Sequence, residues 1–101
     1  MIKHIVAWRL KDSPQKSTEI ALIKELLEGL AGKIPGLLHI EVGSNVVADA
    51  NAADVVLYSE FTDLAALAHY QAHPLHQAVA PQIKALAIER RSIDYWVNDR
   101  S

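Results

Sequence analysis

Residues 2–10 place Ile2, His4, Val6, Trp8 and Leu10 in one phase and Lys3, Ile5, Ala7 and Arg9 in the other, and the middle of both phases is apolar. A period of two sends alternate side chains to opposite faces of a strand. A strand that is apolar on both faces in its middle has to be covered on both, so the rest of the chain must supply or recruit two layers. The run Asp54 to Phe61 behaves the same way, with Val55, Leu57 and Phe61 in one phase and Val56 and Tyr58 in the other. Its β-branched and aromatic content suits a strand.

Between these strands, Ser13-Pro14 supplies a capping hydroxyl and a residue suited to the first helical position. Ile20, Ile23, Leu26, Leu27, Leu30 and Ile34 follow at helical spacing, which predicts a helix from Pro14 to Ala31. Gly32 and Pro35-Gly36 stop it, since glycine accepts the left-handed cap and proline cannot continue the hydrogen bonding. Leu37 to Val42 is the next strand, and Ser44 to Ala53, with Asn45, Asp49 and Asn51, is a loop. Thr62 or Asp63 caps a second helix carrying Leu64, Leu67, Ala68 and Tyr70, which should fail near His73 because Pro74 disfavours the α conformation before it. A further helical stretch with Val79, Ile83 and Leu86 is expected to break or restart at Pro81, and Ile88 to Val97 closes the chain as a fourth strand.

Strand, helix, strand, strand, helix, strand is the split βαβ order of α+β, ferredoxin-like folds: a four-stranded antiparallel sheet with both helices on one face. The expected arrangement puts His4, Val6, Trp8, Val55, Leu57 and Phe61 under the helices and Ile5, Ala7, Val56 and Tyr58 on the opposite face. Parity alone does not choose between this and the swapped assignment. In either case an apolar sheet face is left without helices, and a second copy packed sheet to sheet would cover it.

Composition narrows the function. A chain of 101 residues, half of them hydrophobic, has room for one domain spanning 1–101 and buries roughly two-thirds of its unfolded surface. The net charge of −2 and the scattered Lys and Arg residues argue against nucleic acid. Without cysteine there are no disulfides and no thiolate metal sites, so a cytoplasmic location is the expectation. The apolar run at the N-terminus is too short and interrupted for a signal peptide or membrane span. No phosphate-cradling glycine loop, nucleophile elbow or recognisable carboxylate pair is present.

Chemistry concentrates in His69-Tyr70-Gln71-Ala72-His73-Pro74-Leu75-His76, which holds three of the five histidines. On an unbroken helix the three imidazoles would share a face and suit a metal ion, but Pro74 breaks that helix and no carboxylate lies at ligand spacing. No metal is therefore expected. Tyr70 and His76 flank the break and can point into a cavity between helix and sheet, where an imidazole exchanges a proton near neutral pH and a phenol hydroxyl orients a substrate oxygen. The bland alternative has His73-Pro74 as a terminator, His69 solvated, and Tyr70 and His76 in packing hydrogen bonds. His4, on the apolar side of a central strand, needs a buried partner or lines the same cavity.

Ile2-Lys3-His4-Ile5-Val6, Ile34-Pro35-Gly36, His73-Pro74-Leu75-His76 and Ile93-Asp94-Tyr95, in this order over nearly the whole chain, resemble the stress-responsive A/B barrel family. The resemblance implies a ferredoxin-like protomer whose sheet joins a partner's in a dimeric α/β barrel. One branch of that family comprises plant cyclases that form an alkylresorcylic acid. By likeness to it, Tyr70 would position a substrate, His76 would act as general base, and His4 and His73 would line or support the pocket, with Val6, Trp8 and Leu57 in its walls. The sequence departs from that branch: Val55 stands in place of a histidine, Ala87 in place of a pocket tryptophan, and Arg90, Arg91 and Ser92 occupy an apolar stretch. A long alkyl tail fits poorly beside those charges.

The expectation is a homodimer with one small cavity per protomer. That cavity binds a carbonyl-bearing or aromatic metabolite and transfers a proton without a cofactor. A non-catalytic, self-assembling stress protein is the alternative from another class, with the cavity filled by side chains. A small oxygenase of the same superfamily, cofactor-free or haem-dependent, is the third.

Overall fold

A computed structural model describes residues 1–97. The elements run β1 (Ile2–Leu10), α1 (Lys16–Glu28), β2 (Leu37–Ser44), β3 (Val55–Phe61), α2 (Leu64–Ala72), α3 (Pro74–Leu86) and β4 (Ala87–Trp96). The strands form one antiparallel four-stranded sheet in the order β2-β3-β1-β4, so the fold is ferredoxin-like α+β. β1 is central: Val6 lies opposite Leu57 on β3 and Ser92 on β4.

The helices cover the phase that holds His4, Val6, Trp8, Val55, Leu57 and Phe61, all of which are buried, together with Ile2 and Leu10. From the helix side Ile23, Leu27, Leu67, Tyr70, Val79 and Ile83 complete a single core. The other phase, with Ile5, Ala7, Val56 and Tyr58, is half-buried and carries no helix. On that face Ile93 lies opposite Ile5 and Tyr95 opposite Lys3, and these β4 side chains are 59% and 41% exposed. Lys3 sits over the Tyr58 ring at 5.4 Å, and Arg91 lies opposite Ala7, so charge borders the apolar strip along β4 as well as at its ends.

Several boundaries differ from the sequence expectation for local reasons. α1 starts at Lys16 instead of Pro14, because the Ser13 hydroxyl accepts from the amide of Gln15 at 2.9 Å and folds Ser13 to Lys16 into a turn. The helix ends at Glu28, not Ala31, and the chain coils on through tighter bonds, Leu30 to Leu27 and Ala31 to Glu28, until Gly32 turns left-handed at φ 73°. Asp63 is the cap of α2, its carboxylate accepting from Ala66 at 2.8 Å. The break expected at His73 is present, but the restart comes at once at Pro74, and α3 continues through Pro81 without interruption. Proline suits the first helical position, whereas Pro81 costs one hydrogen bond on an exposed stretch.

Two polar contacts fasten the edges. The Asp54 carboxylate accepts from the Leu10 amide at 2.7 Å and lies 3.4 Å from the Lys16 ammonium, tying the end of β1 to α1. On edge strand β2, Glu28 accepts from the Val42 amide at 2.9 Å while Lys24 donates to the Val42 carbonyl at 3.1 Å, so α1 occupies both outward backbone groups of that residue.

Gly36 has φ 86°, and a Cβ there would lie 2.5 Å from the Ala66 Cβ. Gly32 shares the left-handed conformation but has open space around it. Gly36→Ala is therefore expected to cost about 3 kcal/mol, combining backbone strain with overpacking against α2, and Gly32→Ala only about 1 kcal/mol. Urea denaturation of the two variants measures the difference.

Candidate functional site

The break at His73 decides which side chains meet. α2 delivers Tyr70 into the core, and α3 returns His76 beside it, the two rings 4.5 Å apart between centroids. Tyr70 packs on Phe61 at 4.9 Å and meets the His4 ring edge-on at 6.3 Å. His73 takes a different role: its Nδ1 accepts from the Leu75 amide at 3.1 Å and caps α3. His69 lies edge-on to His73 at 5.7 Å, while His76 pairs with Tyr70, so the helix break sets His76 apart from the two imidazoles with which an unbroken helix would align it. Among the described residues no group of three or more His, Cys, Asp or Glu could hold a metal ion.

A cavity of about 440 Å³ opens between the sheet and α3. Val6, Trp8, Leu27, Leu57 and Ile83 give it apolar walls, while His4, Tyr70 and His76 supply polar atoms. His4, Val6, Trp8, Leu57, Tyr70 and His76 from the sequence reading thus border one space, and His73 does not. A space of this size suits a small metabolite. At its mouth lie Lys84 from α3 and Arg90 from β4.

Hydrogen bonding sets the tautomer of both imidazoles. His4 Nδ1 donates to the Asp94 carboxylate, a contact made possible because the two residues are register partners on β1 and β4. His76 Nδ1 donates to the Gln71 carbonyl at 3.2 Å. In each ring the donor is spent on Nδ1, which leaves Nε2 as the open acceptor. Asp94 entered the sequence reading only as part of a terminal motif. Its pairing with His4 depends on strand register, which residue parity does not supply.

Tyr70 is fully buried, and its hydroxyl has no hydrogen-bond partner among the described residues. Burial pushes its pKa up to about 12, so at neutral pH it is a protonated donor. Burial also pushes His76 below the 6.5 of a solvated imidazole; the Gln71 carbonyl opposes this, and the positive charge of Arg90 adds to it. The site at neutral pH therefore combines a neutral imidazole with a lone pair, a second imidazole braced by a carboxylate, and a phenol that can donate. Together they can take a proton from a bound molecule and stabilise negative charge on an oxygen beside it.

The family model described as the stress responsive A/B barrel domain matches residues 2–97. A dimeric protein of unknown function with a ferredoxin-like fold from Bacteroides fragilis is similar, with 34% identity, a TM-score of 0.83 and 93% of each chain covered. A dimeric ferredoxin-like protein of unknown function from Jannaschia sp. superimposes with a TM-score of 0.81 at 25% identity, over 95% of this chain and 98% of that one. The hydroxynitrile lyase of Passiflora edulis shares the fold at 17% identity, with a TM-score of 0.76 over 99% of this chain and 95% of its own. No curated protein matches the sequence.

Because the folded His76 ring binds its proton less readily than the unfolded one, acidification below 6.5 should destabilise the fold through this group, with no contribution above it. In an NMR titration the His76 imidazole is expected to show a midpoint below 6.5, moving part of the way back up in Arg90→Gln.

Proposed function

The chain belongs to the stress-responsive A/B barrel domain family, and we propose that this member binds a small carbonyl-bearing or aromatic metabolite in the cavity and moves a proton on it. His76 Nε2 takes a proton from the carbon next to the carbonyl. The C–H electron pair becomes the enolate, and its oxygen is held by the Tyr70 hydroxyl. Return of the proton to carbon, or expulsion of a leaving group from the enolate, completes a lyase- or cyclase-like step. His4, anchored by Asp94, lines the pocket and offers its own Nε2 to a second polar atom of the ligand. These side chains suffice for the proton transfer without a cofactor, and the absence of cysteine agrees with a cytoplasmic setting.

The observation that carries this reading is the buried Tyr70 hydroxyl, unpartnered among the described residues, on a side chain that lines the same space as two imidazoles with open acceptors. A buried phenol that only packs would find a carbonyl, as buried polar groups normally do. A ligand oxygen in the cavity would satisfy it.

We propose further that the protein is a homodimer joined through the open sheet face. The family and the dimeric neighbours support this, and so does the apolar strip around Ile5, Val56 and Ile93. Sedimentation at micromolar concentration should give a dimer. Ile93→Arg, on an exposed position opposite Ile5, should give a folded monomer. A stable wild-type monomer would remove this part of the reading.

The catalytic reading is tested with benzoylacetone as an enolisable probe, following deuterium incorporation at its α-carbon by NMR. The protein should accelerate exchange, and His76→Ala should lose about a hundredfold of that acceleration. Tyr70→Phe should lose a comparable factor while gaining about 1 kcal/mol of stability, since it deletes an unsatisfied buried hydroxyl. Exchange no faster than in buffer, or unchanged in both variants, would remove these residues from a catalytic role.

A further inference from the structure

The cavity lining is largely apolar, His4, Tyr70 and His76 supply its inner polar groups, and two exposed cations, Lys84 and Arg90, complete it. Arg90 stands on β4 opposite Trp8, itself a wall residue, and Lys84 follows Ile83 on α3. The two cations thus come from the two elements that frame the opening. Neither has a carboxylate within ion-pair distance among the described residues.

The acidic residue nearest in sequence does not neutralise them. Glu89 borders the cavity but stands opposite Arg9 in the register, and its carboxylate is held by Arg9 at 3.2 Å and reached by Arg91 at 3.9 Å. Alternation along β4 puts those partners on the open sheet face, whereas Arg90 lies on the cavity side. Asp94, the next acidic residue along the strand, is engaged by His4. The lining therefore keeps positive charge without a carboxylate partner in the same apolar space that an unpartnered phenol borders.

We propose that the ligand is anionic at one end: a carboxylate or phosphate seated between Arg90 and Lys84, with a carbonyl reaching Tyr70 and His76. The inference rests on the cavity being the binding site and adds the class of molecule that enters it. Arg90 can grip an oxyanion with its planar fork, and Lys84 adds a mobile point charge from the opposite wall. The apolar middle takes an aryl or short alkyl connector. A long neutral tail would leave both cations facing hydrocarbon, at a cost in desolvation.

The test uses the isotope-labelled full chain and three probes: 3-benzoylpropionate, its methyl ester and phenacyl phosphate. Binding is followed by NMR shifts at Tyr70 and His76. The acid, the phosphate or both should bind at least tenfold more tightly than the ester, and this advantage should shrink with added salt. Whichever anion binds more tightly identifies the headgroup. The double variant Lys84→Gln with Arg90→Gln should bind the tighter of the two anions no better than the ester, while Lys33→Gln, which removes a cation that does not border the cavity, should match the wild type. Binding of both the acid and the phosphate no tighter than that of the ester, with shifts at Tyr70 and His76, would overturn the anionic subsite and leave the cavity reading standing. An unchanged affinity of the tighter anion in the double variant would also overturn the subsite. Failure of all three probes to shift Tyr70 and His76 would overturn both.

Discussion

The pairing of β1 between β3 and β4 is the constraint on which everything else rests. Because β1 is bonded on both sides, its register is fixed twice, and with it the facing of every side chain from Ile2 to Leu10. A slip of one residue would exchange His4, Val6 and Trp8 for Lys3, Ile5 and Ala7, replacing the apolar floor under the helices and breaking the His4–Asp94 contact in one move. Core and site are thus set by the same hydrogen-bond ladder, and the cavity is a region of that core where three polar side chains replace apolar packing.

Those polar groups work against the fold as well as for the site. Tyr70 shares its ring with the core through Phe61, yet its hydroxyl is stranded there at a cost of about 1–3 kcal/mol. His76 is held in surroundings that disfavour its charged form. In a small domain with a stability of about 5–15 kcal/mol, a stranded polar group is a large fraction of the total and calls for a compensating use. Family membership and the likeness to solved structures establish the architecture, while the use we propose for these groups is in the cavity.

The fold was legible because its signals are local. The two-phase apolar strands, the Gly32 and Pro35-Gly36 stops and the Pro74 break each announce themselves within a few residues, whereas the choice of which sheet face lies under the helices, open on parity alone, is settled by the burial of Val6 and Leu57. Some local detail is less legible: a serine turn shifts the start of α1, Pro81 is tolerated because it is exposed, and His73 is a cap, although its neighbour His76 borders the cavity. Convergence of Tyr70 and His76 could be anticipated from the break between their helices. The brace from Asp94 could not, since it depends on which residue of β4 faces residue 4. The unneutralised pair of cations at the mouth was likewise hidden, because only the register reveals that Glu89 is turned toward Arg9.

The side chains of Lys24 and Glu28 also bear on how far self-association by strand addition can proceed. They occupy the outward amide and carbonyl of Val42 on β2, whereas β4 receives no such cover from a neighbouring element among the described residues. A sheet with two bare margins can add copies at both and lengthen without limit into a fibre. With the β2 margin covered at Val42, strand addition there is disfavoured relative to β4, and pairing through β4 alone closes after one reciprocal contact.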